Sequence, residues 1–198
     1  MLRNTQDGYG ITAIVMHWLV AVTVVGLFSL GLWMVGLTYY DSWYRTAPAL
    51  HKSIGVSLFL LVAARLAWRL WQPRPAPLAS HSMLERRLAR TVHGLLYLLL
   101  FAVMSSGYLI STADGRAIEV FGLFGVPATI VELPDQADTA GSIHLALAIT
   151  LVSLAGIHAL AALKHHFIDR DQTLRRMLGF APSAGPQEVS SAKQPTDA

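Results

Sequence analysis

The chain has 198 residues, of which 54% are hydrophobic and only 14% are charged, with a formal net charge of +3 and no cysteine. Soluble domains carry about 25% charged residues, so an ordinary soluble globule is excluded and an integral membrane protein is predicted. The lack of cysteine excludes disulfides, zinc–thiolate sites, iron–sulfur clusters and covalent c-type haem attachment. Eight histidines remain as the main nitrogen donors.

Four long apolar segments predict four membrane-spanning helices, at about 11–37, 50–71, 91–112 and 142–163. A bilayer core of about 30 Å is crossed by about 20 helical residues, so each segment is long enough to span it. The predicted fold is therefore all-α, an integral membrane four-helix bundle within residues 1–178.

The basic residues near the span ends indicate the orientation. An N-terminus on the cytoplasmic side leaves only Arg45, Lys52 and Arg116 outside and places the other twelve Lys and Arg residues inside. Cytoplasmic loops carry an excess of Lys and Arg, so both termini are predicted to be cytoplasmic. The polar stretch 179–198 predicts a disordered cytoplasmic tail.

Two connections have distinctive compositions. The inner loop after the second span contains Pro73, Pro75 and Pro77, which predict an extended, stiff segment. The outer loop, about 113–141, carries five carboxylates against one arginine. Its middle, 118–131, is apolar enough to lie on the membrane surface over the end of the bundle.

Five histidines lie within or at the ends of the predicted spans, where ionisable residues are costly and functional by default. They are His17, His51, His93, His144 and His158. The spacing of His144 and His158 is close to a whole number of helical turns, so their rings project from roughly one helix face, about 21 Å apart. His51 lies at the depth of His144, whereas His17 and His93 both lie at the depth of His158. Histidine pairs at two depths are what two bis-histidine haems in a four-helix core require.

Arg65 follows His51 by the same number of positions that separates His144 from His158. It is therefore predicted to point into the bundle at the inner level, where a haem propionate would pair with it. Gly55 and Gly156, close to His51 and His158, would leave room for a flat macrocycle.

Two other uses of the buried histidines are possible. Hydrogen-bonded packing is the structural alternative. Proton transport is the functional rival, although it usually recruits intramembrane carboxylates and the predicted spans contain none.

The remaining three histidines are expected to lie outside the core of the bundle. His165 and His166, at the cytoplasmic end of the fourth span, are predicted to face lipid headgroups or a propionate. His81 is predicted to be a solvated loop residue.

Several short motifs occur in a specific order. They are His17-Trp18, His51 followed by Gly55, Arg65 to Arg69, the three prolines, His93-Gly94-Leu95-Leu96-Tyr97, Phe121-Gly122-Leu123, the His144/His158 pair, and the run from His165-His166-Phe167 to Met177. Their order and spacing resemble the bacterial cytochrome b561 family over about residues 9–178.

The resemblance implies two haem b groups, an inner one held by His17 and His158 and an outer one held by His51 and His144. His93 would be a neighbour of the inner haem that contacts a propionate or a quinone. The resemblance also implies a multi-pass protein of the bacterial inner membrane, with membrane lipid and ubiquinone as partners and no nucleic acid. The quinone pocket is expected near the inner haem, around His17, Arg65, Arg69 and His93.

A superoxide:ubiquinone oxidoreductase is among the family members that the sequence resembles, so the expected function is transfer of electrons from periplasmic superoxide to ubiquinone. Lys52, Arg45 and Arg116 are the candidates for steering this anion to the outer haem. The outer loop, with a net charge of −4, would repel superoxide unless its carboxylates point away from the site. The alternative is therefore a membrane cytochrome b subunit that relays electrons between quinone and a partner dehydrogenase, hydrogenase or periplasmic redox protein.

Overall fold

The structure is a computed structural model that describes residues 1–78 and 80–180. Four long helices form its body: α1 (Ile11–Met34), α2 (Thr46–Trp71), α3 (Met83–Ser111) and α4 (Gln136–Phe167). Between α3 and α4 lie two short strands, β1 (Ile118–Val120) and β2 (Phe124–Val126), and a short helix α5 (Thr173–Met177) follows α4. Of the predicted tail, residues 181–198 lie outside the described residues.

All four long helices are long and apolar enough to cross a membrane, which confirms the prediction of four such helices. Their outward-facing side chains are apolar and exposed; Val22, Leu98 and Leu160 are 68%, 64% and 66% exposed. Backbone polar groups within lipid need internal partners, and a helix satisfies them within its own segment. Because these side chains are apolar and the helix backbone is satisfied, this exposed surface is the one that a bilayer would cover.

Helix α3 begins about two turns before the predicted third span. Ser82 caps it, because the Ser82 hydroxyl accepts a hydrogen bond from the Glu85 N–H at 3.3 Å and the Glu85 carboxylate accepts one from the Ser82 N–H at 2.8 Å. This reciprocal capping box stabilises a helix start among charged residues. Hydropathy detects the part of a helix that matches the bilayer and misses such a polar extension.

The all-α prediction was wrong in one segment, since part of the outer loop forms an antiparallel β-hairpin. Ile118 pairs with Val126 and Val120 with Phe124. Phe121 and Gly122, at the turn, have positive φ angles of 50° and 71°, which is the backbone that lets a tight hairpin turn match the strand twist. β-branched residues on either side of this turn favour strands over a surface helix.

The hairpin is anchored to the outer end of α2. The Ser53 hydroxyl donates a hydrogen bond to the Glu119 carbonyl at 3.2 Å and accepts one from the Phe121 N–H at 3.1 Å. Ser53 is only 3% exposed, so the hairpin closes over it. The predicted apolar loop thus covers one corner of the bundle, close to His51.

A compact apolar core lies midway along the bundle. Its buried members are Val20, Leu58, Val62, Tyr97, Leu100, Val103 and Leu151. Leu151 stands midway in sequence between His144 and His158, which places it on the same face of α4 halfway between them. The two histidine levels are therefore separated by a layer of tightly packed hydrocarbon.

Candidate functional site

At the outer level the structure brings together His51 on α2 and His144 on α4. Their ring centroids are 6.2 Å apart, and the ring planes are inclined at 72°. Each ring is half-buried. The predicted outer pair therefore faces across the bundle from two different helices.

Three histidines meet at the inner level. His158 on α4 lies 6.5 Å from His17 on α1, with ring planes at 77°, and 5.1 Å from His93 on α3, with ring planes at 68°. The sequence left both as possible partners of His158. The two centroid distances to His158 differ by more than 1 Å, so each can be compared with the separation of two rings that hold one metal between them.

Two imidazoles on opposite sides of one metal have a characteristic separation. Nitrogen–metal bonds of about 2.0–2.1 Å, with about 1.2 Å from each nitrogen to its ring centre, place the centroids about 6.4 Å apart. The His51–His144 and His17–His158 separations match this value within a few tenths of an ångström. The His93–His158 separation is too short for a metal between the rings. Both predicted pairs therefore have a ring separation at which they could hold a haem iron between them.

The hydrogen bonds of His144 set its tautomer for metal binding. Nδ1 lies 2.9 Å from the Val103 carbonyl, which can only accept, so Nδ1 carries the proton. The Ser106 hydroxyl lies 3.1 Å from the same nitrogen and donates to the same carbonyl at 2.8 Å. The lone pair is then on Nε2, and this outer-shell arrangement is typical of a metal-binding histidine.

His17 has a different partner. The Arg65 guanidinium donates a hydrogen bond to Nδ1 of His17 at 3.0 Å, so Arg65 points into the bundle at the inner level, as predicted. A neutral ring that accepts at Nδ1 carries its proton on Nε2, whereas ligation through Nε2 needs the proton on Nδ1. The Arg65 contact and Nε2 ligation are therefore mutually exclusive. Arg65 would therefore have to release His17 before this ring could hold a haem iron through Nε2, and the freed guanidinium could then pair with a propionate.

Tyr97 lies between two arginines at the same level. The guanidinium carbons of Arg65 and Arg69 are each 5.4 Å from the centre of the Tyr97 ring. The Tyr97 hydroxyl is enclosed and has no hydrogen-bond partner among the described residues. The four residues predicted to surround a quinone are thus split between the histidine triad and this cationic, aromatic group.

Sequence reasoning missed two glycines beside the outer pair. A Cβ atom on Gly31 would lie 3.2 Å from Cε1 of His51, and one on Gly107 would lie 3.1 Å from Cε1 of His144. Gly31 follows His17, and Gly107 follows His93, by the same separation that relates His158 to His144. The spacing therefore places each glycine on the helix face of its histidine, although a glycine has no side-chain chemistry that would mark this role.

The two glycines that the sequence did single out have no such close neighbour. A Cβ on Gly55 or Gly156 would meet no protein atom within 4 Å. The open space beside them is compatible with the predicted room for a macrocycle.

A Gly107→Val substitution is expected to weaken cofactor binding at the outer level selectively. The added methyl groups would push the His144 ring off its position, and overpacking of this kind costs about 1–3 kcal/mol, which is about 5- to 150-fold in affinity. Haem content and the redox titration of the purified protein measure the effect. Gly26→Ala is the matched control, because Gly26 is exposed and a Cβ there meets nothing within 4 Å. Equal haem content in the two variants would contradict the prediction.

The three predicted outer cations have different surroundings. Lys52 and Arg45, both exposed, lie near the start of α2, with Lys52 directly after His51. Arg116 forms an ion pair with Asp114, and its guanidinium donates hydrogen bonds to the Asp114 carboxylate. These hydrogen bonds raise the pKa of Arg116 and lower the pKa of Asp114. Arg116 therefore offers little uncompensated charge to an incoming anion, whereas Lys52 and Arg45 remain candidates.

The structure contradicts the expectation that His81 is a solvated loop residue. The His81 side chain is only 19% exposed, its ring centroid is 4.8 Å from that of His165, and its Nε2 lies 2.9 Å from the Asp171 carboxylate. His165 likewise faces carboxylates, while His166 packs beside Phe167. The partners are far apart in the chain, so only the packing of the helices reveals these contacts.

Comparisons with known proteins agree with this architecture. A family model described as prokaryotic cytochrome b561 matches residues 8–180. The chain is 54% identical over 180 residues to Cytochrome b561 homolog 2 of Escherichia coli (strain K12), covering 91% of this chain and 96% of the relative. It is 33% identical to a Yersinia pestis protein named Probable superoxide oxidase CybB, covering 86% and 95%, and 26% identical to Cytochrome b561 homolog 1 of E. coli, covering 84% and 94%.

The family matches nearly the whole chain, and the histidine pairs have the spacing that its cofactor needs. This chain therefore belongs to the prokaryotic cytochrome b561 family of bacterial membrane electron-transfer proteins, a family that implies haem b as cofactor.

Proposed function

We propose that this chain holds two haem b groups, the outer one between His51 and His144 and the inner one between His17 and His158. The observation that carries the proposal is the pair of ring separations, 6.2 and 6.5 Å, at two levels of one helix face. The levels are about 21 Å apart along α4. We further propose that both termini are cytoplasmic, which makes the His51 level periplasmic.

Haem b, when bound, supplies a carrier of single electrons. The residues of the chain determine what such a carrier does. His51 with His144, and His17 with His158, would each hold an iron between two imidazoles, which would disfavour oxygen binding at the metal. Buried Leu58, Val62 and Leu151 exclude water between the two levels. These features favour electron transfer between the two faces of the membrane over chemistry at the metal.

We propose superoxide as the electron donor at the outer level and ubiquinone as the acceptor. Two superoxide anions each lose one electron and become O₂, and one ubiquinone takes up the two electrons and two protons to become ubiquinol. The support is the relative whose name is that of a superoxide oxidase, together with Lys52, an exposed cation beside His51. Positive charge at the entrance of a site raises the association rate of a small anion.

At the inner level, Arg69, Tyr97 and His93 are the proposed quinone-facing group. The enclosed Tyr97 hydroxyl lacks a partner among the described residues, and a quinone carbonyl is an acceptor that it would satisfy. Arg69 lies over the Tyr97 ring, and His93 lies beside His158. These residues also give a donor-rich surface beside the proposed inner haem.

The test uses the purified holoprotein with a superoxide source and a short-chain ubiquinone. We expect one quinone reduced for every two superoxide ions consumed, and a rate that falls as ionic strength rises because exposed charges are screened. Lys52→Glu is expected to lower kcat/KM for superoxide by about tenfold, whereas Arg116→Gln, at the paired arginine, is expected to change it little. An intact haem spectrum without quinone reduction would contradict the superoxide assignment.

A relay between quinone and a partner protein is the second candidate, and the hairpin favours it. Phe121, Leu123 and Phe124 are 52%, 81% and 48% exposed on the outer loop, and large exposed apolar side chains are typical of contact surfaces. The relative with 54% identity is named only as a cytochrome b561 homolog. A relay predicts that quinone reduction requires an added redox partner and that Leu123→Ser slows it, while superoxide has no effect.

A further inference from the structure

A second group of histidines lies away from both haem levels, where α3 begins and α4 ends. His81, His165 and Asp171 converge there, and we call them the His–Asp cluster. Their nearest ligand atoms all lie within 4.8 Å of one another. Nε2 of His81 is 2.9 Å and Nδ1 of His165 is 3.1 Å from the same oxygen, Oδ2 of Asp171.

The backbone after α4 places Asp171 in this position. The Asp171 N–H donates to the His165 carbonyl at 3.0 Å, and Arg170 adopts a left-handed φ of 53° that turns the chain back. The Thr173 N–H donates to Oδ1 of Asp171 at 2.7 Å, which leaves Oδ2 to face the two rings. The Asp171 side chain is only 6% exposed. The carboxylate is therefore held in place by the chain itself.

We propose that the His–Asp cluster binds a divalent transition-metal ion of the zinc class, with water as the fourth ligand. Two imidazole nitrogens and a carboxylate oxygen are ligands that zinc prefers, and neighbouring ligands of tetrahedral zinc lie about 3.3 Å apart. The distances of 2.9 and 3.1 Å to Asp171 Oδ2 are close to that value. The Thr173 hydroxyl, 3.2 Å from Nε2 of His81, provides a further polar neighbour.

An independent observation concerns Nδ1 of His165. This nitrogen is enclosed and faces carboxylate oxygens of Asp169 and Asp171 at 2.8 and 3.1 Å. An imidazole nitrogen beside carboxylate oxygens is also a set of ligand atoms that zinc uses. Coordination of a metal through the lone pair of Nδ1 would use this arrangement.

A neighbouring group of ligand atoms is less suitable. Glu85 and Asp169 also approach His165. However, the Lys164 ammonium is 2.7 Å from Oδ2 of Asp169 and 3.7 Å from Oε1 of Glu85, so a cation already balances these carboxylates. The metal therefore belongs with His81 and Asp171, and Asp169 stays paired with Lys164 beside it.

A metal at this position would join three parts of the chain. His81 directly precedes the Ser82 cap of α3, His165 lies in the last turn of α4, and Asp171 leads into α5. The Met177 carbonyl at the end of α5 accepts a hydrogen bond from the Trp18 indole at 2.8 Å, next to His17. The bound ion would thus fix the end of the bundle that lies beside the inner histidine triad.

The test is zinc binding by the purified, chelator-treated holoprotein. We expect one zinc per chain, separate from haem iron, and binding weakened by more than about 100-fold in His81→Ala and in Asp171→Asn, since even outer-shell changes cost about 10–100-fold. His166→Ala is the matched control, because its neighbour is Phe167 and not the cluster, and it should bind zinc as the parent does. The haem spectrum reports whether each variant folds.

A second measurement keeps the proposal open to refutation if the variants fail to fold. Zinc-edge X-ray absorption of the unmodified holoprotein should show two imidazole ligands and otherwise oxygen ligands. A spectrum without imidazole scattering would overturn the proposal. The absence of stoichiometric zinc binding at micromolar concentration would also overturn the proposal and would leave the cluster as a set of ion pairs that joins the helix ends.

Discussion

A His17→Ala variant is expected to retain one of two haems, whereas a His93→Ala variant is expected to retain both. His17 lies 6.5 Å from His158, the spacing of two rings on opposite sides of a metal, and His93 lies 5.1 Å away, which is too close. Truncating a histidine that would ligate the iron would remove one of the two bonds by which the chain would hold that haem. The haem-to-protein ratio and the reduced-minus-oxidised spectrum measure the result.

His158→Ala and His144→Ala serve as the positive controls for this experiment. The first should lose the inner haem and the second the outer haem, so that the two single-haem spectra can be assigned. The double variant should then contain no haem. Loss of a haem in His93→Ala together with its retention in His17→Ala would refute the inner ligand assignment and leave the outer pair unaffected.

An Arg65→Gln variant is expected to bind both haems but to lower the midpoint potential of the inner one. Arg65 reaches the inner level beside His17 and would pair with a haem propionate after releasing that ring, so its charge would lie beside the proposed inner haem. A unit charge within about 10 Å contributes on the order of 1–2 kcal/mol at an effective dielectric constant of about 20, which is tens of millivolts for one electron. Removing the cation destabilises the reduced state, which carries one positive charge fewer at the iron.

Potentiometric titration of both haems measures this shift, and Arg74→Gln is the control because Arg74 is exposed in the proline-containing loop. The outer haem should be unchanged, because the apolar layer and about 21 Å of helix separate it from Arg65. Equal shifts of both haems, or no shift of either, would contradict the placement of Arg65 at the inner level.

Much of this site could be predicted because its residues repeat at a helical period. His144 and His158 share one face of α4, and Arg65 follows His51 by the same separation, so the sequence pattern alone predicts two levels. The structure placed Arg65 against His17, as that register requires. Gly31 and Gly107 obey the same register, yet a glycine carries no chemical signal, and only their approach to His51 and His144 reveals their role.

The four apolar helices and the shared face of His144 and His158 followed from the amino-acid sequence, because hydropathy and the 3.6-residue period are local properties. Both His17 and His93 lie at the depth of His158, and only the packing of the helices sets their ring distances to it, 6.5 and 5.1 Å, on which the proposed ligand pair rests. Tertiary structure also decided that part of the outer loop forms a hairpin on Ser53 and that His81 meets Asp171. These contacts join residues far apart in the chain, and no local pattern encodes a distance between two helices.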